Sequence, residues 1–191
     1  MYGMVNRGIR DLVLAECGTE AWNGICERIG LSSADFNDST SYDDAVTYDL
    51  VGEVSNELGW TPEDVLIAFG RHWVLFTGRE GWGGLFDMAG DDMRTFVEGL
   101  DALHARVQAS MPRSRMPSFA VSDAGAGVLD VEYRSDRPGL GPMVVGLLGG
   151  LAEYFDESWA VEQLGRLDDG QGERFRLHPS PPQDLADAGI A

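Results

Sequence analysis

Residues 93–137, MRTFVEGLDALHARVQASMPRSRMPSFAVSDAGAGVLDVEYRSDR, contain the change of pattern that decides the fold. In the first part, Met93, Phe96, Val97, Leu100, His104 and Val107 recur at helical spacing on one face, in a helix opened by Gly90-Asp91. Past Pro112 and Pro117 the apolar residues alternate instead. Phe119 and Val121 predict one strand and Leu129, Val131 and Tyr133 the next, with Asp123-Ala124-Gly125-Ala126-Gly127 as the hairpin loop. His104 therefore lies on an apolar helical stripe, directly before the chain turns from helix to sheet.

Everything N-terminal to this stretch reads as helix. Val5, Ile9, Leu12 and Val13 share one face, Gly18-Thr19 breaks it, and Trp22, Ile25 and Ile29 resume the spacing. From Tyr42 to Leu58 the set Ala45, Val46, Leu50, Val51, Val54 and Leu58 predicts a further helix stopped by Gly59. Thr61-Pro62-Glu63-Asp64 opens another, running to about Thr77, with a capping hydroxyl, a proline at the first helical position and early acids. Gly81-Trp82-Gly83-Gly84 separates it from a short helix near Leu85. C-terminal to the stretch, a small-residue helix spans about Leu140 to Phe155. A second hairpin follows, Trp159 to Leu167 and Arg174 to His178 around Asp168-Asp169-Gly170. The expected fold class is α+β: a helical N-terminal half packed on a C-terminal four-stranded antiparallel sheet with one intervening helix. Residues 1–178 read as one domain and 179–191 as a flexible tail.

A formal charge of −18 repels phosphate backbones and anionic membranes, so nucleic acid and membrane partners are not expected. The opening Met1-Tyr2-Gly3-Met4-Val5-Asn6-Arg7 has neither an export signal nor a myristoylation glycine, and Cys17 and Cys26 have no metal-ligand spacing. Two reduced thiols in a cytoplasmic protein is the expectation. Asp35, Asn37 and Ser39 begin like a calcium loop, but Thr40 stands where glycine is needed and the twelfth position lacks Glu, which rejects calcium. Gly146 and Gly150 predict close packing of their helix on a flat partner, for which a porphyrin plane is one candidate.

Two groups of side chains carry chemistry. With Leu100 and Val107 as helical neighbours, the His104 imidazole needs a partner for its ring nitrogens. That partner is either a backbone carbonyl, as in an ordinary core histidine, or a metal in an apolar pocket, as for a proximal haem ligand. Tyr133, Ser135 and Arg137, two apart along an extended chain, converge as two hydroxyls and a guanidinium, a clamp for carboxylates such as haem propionates. An amphipathic strand with a polar end explains the same residues.

Tyr-x-Ser-x-Arg after a helical His resembles the H-NOX (haem nitric oxide/oxygen binding) family, similar to the haem domain of soluble guanylate cyclase and here of the stand-alone bacterial type. Met1 to Asn6, Val46 to Gly52, Leu66 to Gly70, Leu100 to Val107 and Gly139 to Gly150 carry the likeness in order. It implies haem b between the helical half and the sheet, His104 on the iron, and Tyr133, Ser135 and Arg137 on the propionates. Pro117 presses on the haem, and Val5, Trp73, Met143 and Leu147 line the distal pocket. The implied protein is a non-enzymatic sensor. Oxygen-holding members have a distal Tyr near Leu140-Gly141-Pro142-Met143-Val144, where this chain has none, although the Trp73 indole offers an alternative donor. The expected ligand is nitric oxide, with carbon monoxide also possible. Release of His104 and relaxation of the haem signal to a separate histidine kinase or cyclic-dinucleotide enzyme. An oxygen sensor or carrier and a haem-free interaction module are the alternatives.

Overall fold

The computed structural model describes residues 1–31, 36–77, 84, 86, 88–112 and 114–180. The two N-terminal apolar runs form one element, α1 (Gly3–Arg28), kinked at Gly18. Its φ of 79° is left-handed backbone that residues with a Cβ avoid. Helix α2 (Asp44–Leu58) starts two residues past the expected Tyr42, because the Asp43 carboxylate caps it by accepting from Ala45 N, and it ends at a left-handed Gly59. Helix α3 (Pro62–His72) opens with the reciprocal hydrogen bonds of a capping box between Thr61 and Asp64. Trp73–Thr77 then widens into a π-helical turn, so that the consecutive residues Trp73 and Val74 both reach the interior. The expected linker residues Gly81, Trp82 and Gly83 and the centre of the expected short helix, Leu85, lie outside the described residues, as do Asp35 of the calcium-like run and residues 181–191 of the tail.

The single helix expected after Gly90 is two helices, α4 (Met93–Glu98) and α5 (Leu100–Ser110), broken at Gly99. The Asp92 side chain caps α4, and Gly99 N closes it onto the carbonyls of Thr95 and Phe96. The break lets Met93, Phe96 and Val97 on one segment and Leu100 and Leu103 on the next bury against the same sheet.

Strands β1 (Ser118–Gly125), β2 (Val128–Arg134), β3 (Trp159–Arg166) and β4 (Glu173–Pro179) form one antiparallel sheet in the order β1-β2-β4-β3. The first hairpin is tighter than expected. Its strands run through Asp123 and Gly125 with a bulge, which leaves Ala126-Gly127 as the turn. Helix α6 (Gly141–Tyr154) lies between the hairpins in sequence and returns the chain so that β4 pairs beside β2. Strand β4 continues one residue beyond the expected limit of 178, and Ser180 N donates to Ser158 O.

Two apolar clusters result. One joins the sheet's inner face (Phe119, Leu129, Val131, Phe175, Leu177) to α4, α5 and α6; the other joins α1, α2 and α3. Fully buried side chains such as Phe175 and Leu50 each contribute about 1.5–3 kcal/mol on leaving water. The α6 glycines face helix α3, in place of the flat ligand considered above. A Cβ on Gly146 would lie 2.0 Å from Ile67 O, and one on Gly70 2.2 Å from Met143 O. Their absence lets the two backbones approach closely enough for α3 and α6 to act as one wall. Among the described residues no helix is long and apolar enough to cross a membrane, and no group of three or more His, Cys, Asp or Glu is placed to hold a metal. Cys17 and Cys26 are free thiols.

Candidate functional site

Between the two clusters lies a cavity of about 270 Å³, and every residue expected at the site lines it: His104, Pro117, Tyr133, Ser135, Arg137, Val5, Trp73, Met143 and Leu147. Its walls come from α1, the start of the π-turn, α5, the loop before β1, the end of β2 and the inner face of α6. They are apolar except at one end. There a second, polar recess of about 300 Å³ shares Met1, Tyr2, Ser114, Arg115 and Arg137 with it.

Helix α5 carries His104 to the apolar wall, and its Nδ1 lies 3.1 Å from the carbonyl oxygen of Pro117. A carbonyl only accepts, so Nδ1 carries the proton and Nε2 keeps its lone pair. Nε2 has no hydrogen-bond partner among the described residues. The two partners weighed for this histidine thus apply to different nitrogens: a backbone carbonyl takes one and leaves the other open. Burial pushes the imidazole's pKa down, against smaller opposing effects of the Pro117 hydrogen bond and Asp101, and so favours the neutral ring that a metal requires. Phe119 packs between His104 and Tyr133, with ring centroids 5.5 and 5.3 Å away, and its backbone N–H donates to Asp101 Oδ1 at 2.6 Å. Sequence reasoning gave Phe119 only a strand position; period-2 burial was the available signal.

Tyr133, Ser135 and Arg137 converge by a different route from the one expected. Strand β2 stops at Arg134, and Ser135 to Arg137 form a bend in which Arg137 N donates to Ser135 Oγ at 3.1 Å. Tyr133 is 5% exposed and hydrogen-bonded with Ser135; burial raises its pKa, so the phenol stays protonated and able to donate. Arg137, expected to bind a carboxylate of the ligand, is already held by a carboxylate of the protein: Nε donates to Asp44 Oδ2 at 2.9 Å. Arg115 Nη2 donates to the same oxygen at 2.7 Å, and the α-amino group of Met1 donates to Asp44 Oδ1 at 2.5 Å. Asp44 and Arg115 escaped sequence reasoning because they are far from the motif along the chain.

The apolar part of the cavity presents Val5, Trp73, Met143, Val144 and Leu147. Of the tyrosines among the described residues, only Tyr133 and Tyr2 line the cavity, Tyr133 beside Ser135 and Arg137 and Tyr2 where the polar recess joins.

The family model for haem-NO-binding domains matches residues 2–163. The chain belongs to the haem-NO-binding, or H-NOX, family. The domain of this family is a haem-binding gas-sensor domain related to that of soluble guanylate cyclase. Among curated relatives, soluble guanylate cyclase gcy-32 of Caenorhabditis elegans is 29% identical over 186 residues, which cover 93% of this chain and 27% of the relative. The H-NOX chain thus spans about a quarter of that cyclase. Among solved structures, the H-NOX protein of S. oneidensis in the Fe(II)NO state superposes with a TM-score of 0.85 at 21% identity, covering 95% of this chain and all of the other. An oxygen-binding H-NOX domain in its oxygen complex superposes with a TM-score of 0.80 at 19% identity, covering 95% of this chain and 96% of the other. At that identity the likeness shows the fold: the helical half and four-stranded sheet of H-NOX structures.

Proposed function

We propose that this H-NOX chain is a non-catalytic sensor that holds haem b through His104, binds nitric oxide and passes the signal to a separate protein. One observation carries the reading: His104 offers an unpartnered Nε2 to an apolar cavity while its Nδ1–H is fixed on a backbone carbonyl. When bound, haem would supply an iron that takes a diatomic gas. The Nδ1–H bond to Pro117 holds the ring's tautomer and heading and makes Nε2 more basic. Tyr133, Ser135 and Arg137 supply donors for the propionates, and the Pro117 ring adds bulk beside the ligand.

Val5, Trp73, Met143 and Leu147 keep water from the gas side and offer no phenol. Bound dioxygen gains most from a hydrogen-bond donor such as a phenol, so a wall without a phenol favours nitric oxide, and carbon monoxide when supplied. The two solved neighbours hold different gases, so this choice rests on the wall and not on the likeness. Because Pro117 precedes β1, the His104–Pro117 bond ties α5 to the sheet. Were His104 to be released from a bound haem, α5 would be free to shift, a two-state element that a partner could read. A histidine kinase or a cyclic-dinucleotide enzyme is the partner we propose. The free thiols fit a reducing cytoplasm, and the −18 charge disfavours nucleic acid and anionic membrane.

Trp73 favours a second reading, an oxygen-binding sensor, because its indole N–H has no hydrogen-bond partner among the described residues. Absorption spectra of the reduced, haem-loaded protein decide between them. Nitric oxide is expected to give the spectrum of iron that has lost its histidine, and air no stable oxygen complex. A retained histidine overturns the release mechanism. A stable oxygen complex that Trp73→Phe abolishes establishes the second reading.

A further inference from the structure

We propose that Asp44 is the positioning residue of the carboxylate clamp, setting Arg137 so that one fork of its guanidinium points at the ligand; this rests on the reading that the cavity holds haem. A guanidinium has five N–H bonds in a rigid plane. Asp44 takes one edge, with Oδ2 at 2.9 Å from Nε and Oδ1 at 3.5 Å from Nη2. The Arg115 carbonyl accepts from Nη1 at 2.9 Å. That leaves one N–H on each terminal nitrogen, and the edge between those two nitrogens is where a carboxylate can accept two parallel bonds. Arg137 is only 14% exposed and lines the cavity, so its stem has little freedom to present another edge.

Asp44 also resolves a repulsion. Arg115 and Arg137 both approach Asp44 Oδ2, and Arg115 is gripped on its other side by Asp136 at 2.7 Å. Without the carboxylate between them, two like charges would face each other at the cavity mouth. Burial pushes the Asp44 carboxyl up, but the Met1 and Arg137 hydrogen bonds outweigh it and hold the group ionised below the ordinary carboxylate range. Asp44 is the first residue of α2, whereas Arg137 follows β2, so the clamp on the sheet side is set from the helical half.

The test is a double-mutant cycle of Asp44→Asn and Arg137→Ala, read as the rate of ferric haem transfer from each variant to excess apomyoglobin, followed by absorption. Asp44→Asn in the otherwise wild-type chain is expected to speed haem loss about tenfold, the scale of one charge-assisted hydrogen bond. In the Arg137→Ala background the same change is expected to alter the rate less than about twofold, because the residue it positions is gone. An equal factor in both backgrounds, no effect in either, or slower haem loss in Asp44→Asn, as for a carboxylate that competes with the ligand, overturns the proposal. Should Asp44→Asn not fold, Asp44→Glu is read in the same cycle with a smaller expected factor. A wild-type chain that takes up no haem overturns this proposal and the haem reading together; additive effects in a chain that does take it up overturn this one alone.

Discussion

The two ends of the cavity are built differently. At the apolar end a single helix, α5, presents His104, and one local contact with a carbonyl thirteen residues along the chain orients the ring. At the polar end, residues 44, 115 and 137 come from α2, the loop before β1 and the bend after β2, and each is held by the others. The apolar end is a side chain on a rigid element. The polar end is a network with no element of its own. Loss of one member should therefore abolish function at the first end and be partly compensated at the second, where several donors share the load.

The sharpest break in that comparison is His104→Ala, expected to leave the protein without retained haem, as no Soret band after haem supply, with rescue by free imidazole. Normal haem content would mean that His104 is only a core histidine. Next comes the wall that shapes the apolar end. Gly146→Ala forces a methyl against the Ile67 backbone and is expected to lower stability by about 1–3 kcal/mol, read from urea midpoints. An unchanged midpoint would show that α3 and α6 can separate without cost.

Arg137→Ala is expected to speed haem loss by about tenfold yet leave the His104 spectrum intact, since Tyr133 and Ser135 remain. A changed iron spectrum would show that the two ends are not independent. The smallest effect is the pH dependence of the haem-free protein. Because burial holds the His104 pKa below its ordinary 6.5, the folded state keeps the ring neutral while the unfolded chain takes up a proton first. That contribution is fully present above the ordinary pKa and is lost as pH falls below it. The thermal midpoint of wild type should thus drop more than that of His104→Gln between about pH 7 and pH 5. Parallel curves would remove the burial argument.

Where the governing interactions are local, the sequence was legible. The Thr61 cap, the stop at Gly59, the break at Gly18 and the switch from helical to alternating spacing after Pro117 involve residues within a turn or two of one another, and all appear as expected. The interruption at Gly99 was hidden because the apolar stripe runs through it without a phase change, and only the need to meet one sheet from two directions turns the chain there. The Gly146 and Gly150 spacing announced a close approach but not to what, since any flat neighbour satisfies it. The Tyr133, Ser135 and Arg137 motif was legible as residue types, whereas its geometry came from a bend stabilised by the Ser135 hydroxyl and not from strand alternation.

By itself the sequence determined the α+β class, the helix that bears His104 and the strands that follow it, because hydrophobic periodicity and capping act over a few residues. The tertiary structure alone decided the strand order, the partner of the α6 glycines, and the placing of Asp44 and Arg115 beside Arg137. Charges so far apart along the chain meet only once the two apolar clusters have closed around the cavity, and no local pattern records which of this chain's many acids will be the one brought there.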